Sequence, residues 1–94
     1  MKQESGEKER RLAILINLSL AMRYKCAIVE LRNDLDDAGY PASLDRIRAD
    51  CAWLDETGLV KYDFITGVVT ATARGLDIAQ GYSEVPGVAR PGLA

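Results

Sequence analysis

The chain has 94 residues, 48% of them hydrophobic, and its 12 basic and 14 acidic side chains give a net charge of −2. This length fits one domain with a small core, because domains of about 100–150 residues are the most common. A net negative charge is not typical of strongly basic nucleic-acid-binding domains. Histidine is absent and there are only two cysteines, so neither a histidine base nor a usual zinc ligand set is available.

The sequence also lacks a glycine-rich phosphate loop and a nucleophile motif, and we therefore predict no enzyme, no cofactor and no metal site. Cys26 and Cys51 are too far apart in sequence for a CxxC site and are expected to be buried thiols in a reducing cytoplasm. The N-terminus is charged, and the apolar run 12–22 is too short to span a bilayer. We expect a cytoplasmic protein with no membrane partner.

The first predicted helix covers residues 6–22 and follows a disordered N-terminus at residues 1–5. Its apolar residues fall on two opposite faces at 100° per residue. One face carries Leu12, Leu15, Ile16 and Ser19, and the other carries Ile14, Leu18 and Ala21. A domain of this size has little material to cover both faces, so the second face predicts a homodimer interface at Ile14, Leu18 and Ala21.

Two further helices follow in quick succession. The second is predicted from Lys25 to Ala38 and ends at Gly39, which suits the positive φ of a helix C-terminus. The third opens at Ser43, whose hydroxyl can accept from backbone N–H groups of the first turn, and it ends at Gly58. Its buried face is predicted to consist of Leu44, Ile47, Cys51 and Leu54.

A hairpin and a short helix complete the predicted domain, which covers residues 6–82. The strands are expected at residues 59–63 and 68–71, because β-branched residues flank a turn that contains Gly67. Thr72 caps a fourth helix that runs to about Gln80. Residues 83–94 are rich in proline and glycine and show no helical or strand period, so they are predicted to form an extended tail.

This order of elements predicts an α+β, mainly α, winged helix-turn-helix with three helices, a two-stranded wing and a short fourth helix. Residues 47–60 resemble the passage from recognition helix to wing in ArsR, MarR and PadR regulators, and 72–76 resemble the segment that leaves the wing. The runs 48–54, 72–79 and 85–92 resemble a family of small Mu-like prophage proteins often labelled ArsR-like. The resemblance implies a phage-encoded DNA-binding transcriptional regulator, and the two-sided first helix indicates that it acts as a homodimer.

In such a regulator the third helix enters the major groove. Arg46 is the candidate for a base edge, because a guanidinium matches guanine O6 and N7. The candidates for phosphate contact are Ser43, Arg48, Lys25 and Lys61. The alternative is that Arg46 and Arg48 only pair with acidic neighbours on a solvated helix.

Other features favour a winged-helix protein-interaction module without DNA binding. Asp45 and Asp50 fall on the presumed reading face, and the wing tip at residues 64–68 contains no lysine or arginine. Trp53 lies opposite Leu44 on the helix and is predicted to contact the tail or wing, a protein partner or nucleic acid. A continuous positive face on the third helix and wing would favour DNA, and a mixed face would favour a protein partner.

Overall fold

The computed structural model describes residues 3–92. They form a mainly helical α+β structure with four α-helices and a three-stranded antiparallel sheet. The elements in chain order are α1 (Gln3–Leu20), a 3-10 turn (Met22–Tyr24), β1 (Lys25–Ala27), α2 (Ile28–Asp37), α3 (Leu44–Glu56), β2 (Val60–Asp63), β3 (Val68–Ala71) and α4 (Ala73–Ala79).

The sheet contains a strand that the sequence analysis did not predict. Residues 25–27 form β1, which pairs with β3, so the strand order is β1–β3–β2. The prediction of a helix from Lys25 and of only two strands was therefore wrong. Arg23 and Tyr24 adopt positive φ values of 59° and 58°, which cannot continue an α-helix. Pairing with β1 also covers the edge of β3, which would otherwise leave backbone groups unpaired.

The helix boundaries follow local signals elsewhere. The Ser43 hydroxyl accepts from the Arg46 backbone N–H at 3.1 Å, and the Thr72 hydroxyl accepts from the Gly75 backbone N–H at 3.1 Å. Both predicted N-caps are present. α1 ends at Leu20, two residues earlier than predicted. Of the segment predicted to be disordered, residues 3–5 belong to α1 and residues 1–2 lie outside the described range.

The core explains both apolar faces of α1. Ile14, Leu15 and Leu18 are fully buried, because α1 packs against α2, α4 and β3 at once. Burying each such side chain contributes about 1.5–3 kcal/mol. Ile14 and Leu18 therefore cannot form the predicted dimer interface, since this chain already covers them. Ala21, the third member of that prediction, is half-buried.

The tail, residues 83–92 in the described range, contains no helix or strand and runs along the N-terminal half of α1. The Ala89 backbone N–H donates to the Lys8 carbonyl at 3.2 Å, and Val88 is buried in the core. The predicted residues 93–94 of the tail lie outside the description. No helix between residues 3 and 92 is both long and apolar enough to cross a membrane.

Candidate functional site

The N-cap and the first two turns of α3 hold three of the predicted DNA-contacting residues. Ser43, Arg46 and Arg48 are all exposed. Arg48 Nη1 lies 3.5 Å from Asp45 Oδ1, and both side chains are largely in solvent. Arg46 makes no ion pair with any residue that the structure describes. An exposed pair such as Arg48–Asp45 contributes only about 0–1 kcal/mol, so Arg48 can exchange it for a phosphate at little cost.

Asp50 is not on this exposed face, contrary to the sequence prediction. Its side chain is buried and accepts hydrogen bonds from the guanidinium groups of Arg10 and Arg11, at 3.3 Å from Arg10 Nη2 and 3.4 Å from Arg11 Nε. The two arginines neutralise the carboxylate inside the protein. Of the two aspartates that the sequence placed on the exposed face of α3, only Asp45 therefore lies there.

The other two predicted DNA contacts, Lys25 and Lys61, meet on the outer face of the sheet. Both residues pair with Thr70 of the central strand, one from each side. Directly paired residues project from the same face of an antiparallel sheet, and neighbouring strands lie about 4.8 Å apart. The two lysines therefore form one row with Thr70 between them, on different elements from the arginines of α3.

Two carboxylates share the depression that contains this lysine row. Asp55 accepts from the Tyr62 backbone N–H at 2.8 Å, which holds the start of the wing against α3. Asp63 accepts from the backbone N–H groups of Ile65 and Thr66 at 2.9 and 3.2 Å. These hydrogen bonds, first that from Thr66 and then that from Ile65, lower the pKa of Asp63. Both carboxylates have hydrogen-bond partners in the protein, and the depression around the lysine row is mixed in charge.

The wing tip is apolar and exposed. The side chains of Phe64 and Ile65 are 71% and 93% exposed, and the Phe64 ring lies 4.5 Å from that of Tyr62. A cleft of about 510 Å³ separates the wing from α3, and it is lined by Ala49, Ala52, Trp53, Asp55, Glu56 and Phe64. The structure therefore brings an apolar and acidic surface, not a continuous positive one, to this side of α3.

Trp53 is half-buried beneath the tail. The Arg11 guanidinium carbon lies 4.0 Å from the centroid of the Trp53 ring, and Arg11 Nη1 donates to the Gly87 carbonyl at 3.2 Å. Gly87 approaches the indole so closely that a Cβ there would come within 2.6 Å of Trp53 Cη2. We call Arg11, Trp53 and Gly87 the tail clasp. Its geometry matches the tail-packing alternative for Trp53, and the sequence analysis missed the part that Arg11 takes.

The surroundings of both thiols disfavour the thiolate form. Burial raises the pKa of the Cys51 thiol to about 12 and that of Cys26 to about 11, so both stay protonated at neutral pH. Within residues 3–92 no group of three or more cysteine, aspartate or glutamate side chains is placed to hold a metal ion.

Comparison with known proteins places the chain in a phage family. Over 86 residues it is 38% identical to uncharacterized protein gp26 of Escherichia phage Mu. The aligned region covers 89% of this chain and 88% of gp26. The chain belongs to the gp26 family. This relationship confirms the predicted Mu-like phage origin. No family model matches the gp26-like sequence, and no solved structure matches it.

Proposed function

We propose that this gp26 relative is a winged helix-turn-helix protein that binds DNA and regulates transcription of a Mu-like phage. The order helix, strand, two helices, hairpin and helix supports this fold, with α2 and α3 as the helix-turn-helix and β2–β3 as the wing. Such a protein acts by binding and not by catalysis, and it works in the host cytoplasm, where phage DNA is transcribed.

The exposure of Arg46 is the observation on which the proposal depends most. It lies in the first turn of α3, is exposed and has no ion-pair partner among the described residues. N-terminal residues of a recognition helix are those that reach base edges, and an arginine there can bind guanine with two hydrogen bonds. Asp50 is buried and paired with Arg10 and Arg11, so its charge does not oppose this contact.

Phosphate contacts would come from Ser43, Arg48, Lys25 and Lys61. The Ser43 oxygen accepts from the Arg46 N–H, and its own hydroxyl proton remains available to a phosphate. With so few cations, binding is weak, and its affinity falls with salt because each neutralised phosphate adds about −0.9 to the slope of log affinity against log salt.

Fluorescence anisotropy at low salt tests this function, with duplexes from the promoter regions of the encoding phage genome and a random duplex. We expect Arg46→Ala to lose about 1–3 kcal/mol of discrimination between the preferred and random duplexes. Lys8→Ala is the matched control, because Lys8 is exposed on α1, outside the proposed DNA contacts, and its removal changes the net charge equally. Equal binding to all duplexes, unchanged by Arg46→Ala, would exclude sequence-specific recognition.

A protein-interaction module without DNA binding is the second candidate, and the apolar wing tip favours it. Contiguous exposed apolar surface marks protein contact sites, and Phe64 and Ile65 lie beside the cleft that contains Trp53. A pairwise two-hybrid assay against each protein of the same phage tests this candidate. A partner lost on Phe64→Ser and kept on Arg46→Ala would support it, whereas the reverse pattern would count against it.

A further inference from the structure

An open groove between α1 and α2 is an apolar surface that neither candidate function uses. Its volume is about 640 Å³. Apolar side chains from both helices form most of its lining, namely Leu12, Ala13, Ile16, Leu20, Leu35, Ala38 and Tyr40. We call it the α1 groove. Leu20, at its end, is 82% exposed, and Met22 just beyond is 84% exposed. Neither side chain packs into the core that residues 3–92 form.

We propose that a second copy of this chain fills the α1 groove, with the two α1 helices packed antiparallel about a two-fold axis. One occupant then explains both the open groove and the exposed Leu20 at its end. In a two-fold interface the same surface serves both copies, so it must be complementary to itself. The residues along α1 meet that requirement in shape and in charge.

The groove-facing residues of α1 are spaced so that two copies of the helix can interdigitate. Glu9, Ala13, Ile16 and Leu20 recur every three or four positions and span about 16 Å of helix. An axis midway between Ala13 and Ile16 sets the small Ala13 of each copy opposite the large Ile16 of the other. Such alternation lets side chains of packed helices interdigitate. The same register places Leu20 over the partner's Glu9 end of the groove.

The charges near the two ends of the α1 groove favour antiparallel packing. The charged residues that line the α1 groove are Glu9, Asp34 and Asp37 from the two helices and Arg90 from the tail. The exposed Arg23 follows Leu20 at the opposite end of α1 from Glu9. Antiparallel packing brings Arg23 of each copy towards Glu9 of the other. A parallel arrangement would instead set the two Glu9 side chains side by side, which repels.

This interface replaces the one predicted at Ile14, Leu18 and Ala21, and it does not depend on DNA binding. It uses the side of α1 that the core leaves open, whereas Ile14 and Leu18 face the core. A chain of this length buries a modest share of its surface when it folds alone. Covering the α1 groove with a second copy adds apolar burial that one copy cannot supply.

Sedimentation equilibrium without DNA, at chain concentrations up to about 1 mM, tests the proposal because it detects dissociation constants up to the millimolar range. We expect the wild-type chain to reach twice its monomer mass. Leu20→Glu should raise the dimer dissociation constant at least about 100-fold, since it buries two unpaired charges per dimer. Leu20 is exposed in the single chain, so this variant should fold, which circular dichroism checks. The matched control is Ile65→Glu, the same kind of change on the exposed wing tip, and it should have no effect.

A charge exchange then tests the direction of packing. Glu9→Arg and Arg23→Glu should each weaken association by about 2- to 5-fold, and the double variant should recover the wild-type value. A wild-type chain that stays monomeric throughout the concentration range would overturn the proposal. So would a dimer that tolerates Leu20→Glu, because association would then use another surface. Failure of the double variant to recover would overturn the antiparallel arrangement.

Discussion

Helix α3 carries two aspartates that pair with arginines in opposite surroundings. Asp45 and Arg48 lie one turn apart on the exposed face, and their side chains are 92% and 52% exposed. Asp50, five residues further on, is 2% exposed and is held by Arg10 and Arg11 from α1, whose side chains are 14% and 12% exposed. If the exposed pair separates, water can solvate both of its charges. If the buried Asp50 loses its arginines, little water can reach its carboxylate.

The difference shows how one helix separates structural charge from charge that is available to a ligand. A carboxylate removed from water needs its partners, so Asp50, Arg10 and Arg11 must stay together for the chain to fold. An exposed pair costs little to break, so Arg48 remains available to a ligand, as does Arg46, which makes no ion pair with a described residue. Sequence alone assigned Asp45 and Asp50 to the same face and could not make this distinction.

Removing Asp50 is expected to have the largest effect. Asp50→Ala leaves two buried or half-buried guanidinium groups without their carboxylate, which typically costs about 3–5 kcal/mol in the free energy of unfolding. Asp45→Ala, the matched change on the exposed face, should cost less than about 0.5 kcal/mol apart from its small effect on the first turn of α3. Urea denaturation of both variants measures the contrast. Similar losses would mean that the two pairs do not differ.

Disturbing the tail clasp should have the next largest effect. Gly87 has a φ of +100°, and an added Cβ would lie 2.6 Å from Trp53, so Gly87→Ala must displace the tail. We expect a loss of about 1–3 kcal/mol. Trp53 is the only tryptophan in the sequence, and its fluorescence should shift to longer wavelength as the indole becomes exposed.

Gly92→Ala is the control for the tail clasp, because nothing lies within 4 Å of a Cβ built there. It should leave both stability and fluorescence unchanged. An unaltered Trp53 spectrum in Gly87→Ala would show that the tail does not cover the indole.

A smaller, pH-dependent effect is expected at the wing. The pKa of Asp63 is lowered in the folded chain by hydrogen bonds from the backbone N–H groups of Thr66 and Ile65. Because the folded pKa lies below the unfolded value, the contribution is complete above the unfolded pKa and is lost as pH falls through the folded pKa. The stability gap between wild type and Asp63→Ala should therefore be constant above about pH 5 and shrink below about pH 4. A gap that grew on acidification would contradict the hydrogen-bonded carboxylate.

Local signals were enough to predict α3, the β2–β3 hairpin and the two capped helix starts. The N-cap hydroxyls of Ser43 and Thr72 and the turn glycine Gly67 act within a few residues, so sequence reveals them. The strand β1 was missed because its partner in β3 lies more than forty positions away. The break before it also falls at Arg23 and Tyr24, which are not residues that usually mark positive φ.

The candidate site was predicted in part. The exposure of Arg46 and Arg48 follows from their positions about 100° to either side of Ile47, outside the buried stripe of α3. The burial of Asp50 was within reach, since it lies three residues after Ile47 and four before Leu54, on the same face. Its partners Arg10 and Arg11 were not within reach, because nothing local links α1 to α3. The same long-range packing buries Ile14 and Leu18, so these two side chains are not accessible to a second copy as the sequence predicted.

The most direct test of the contrast within α3 is a pair of double-mutant cycles, one for Arg10 with Asp50 and one for Arg48 with Asp45, measured by urea denaturation. The account predicts a coupling of about 2 kcal/mol or more for the first pair and less than about 0.5 kcal/mol for the second. Equal couplings, or a larger one for Arg48 with Asp45, would contradict the claim that the buried pair stabilises the fold and the exposed pair does not.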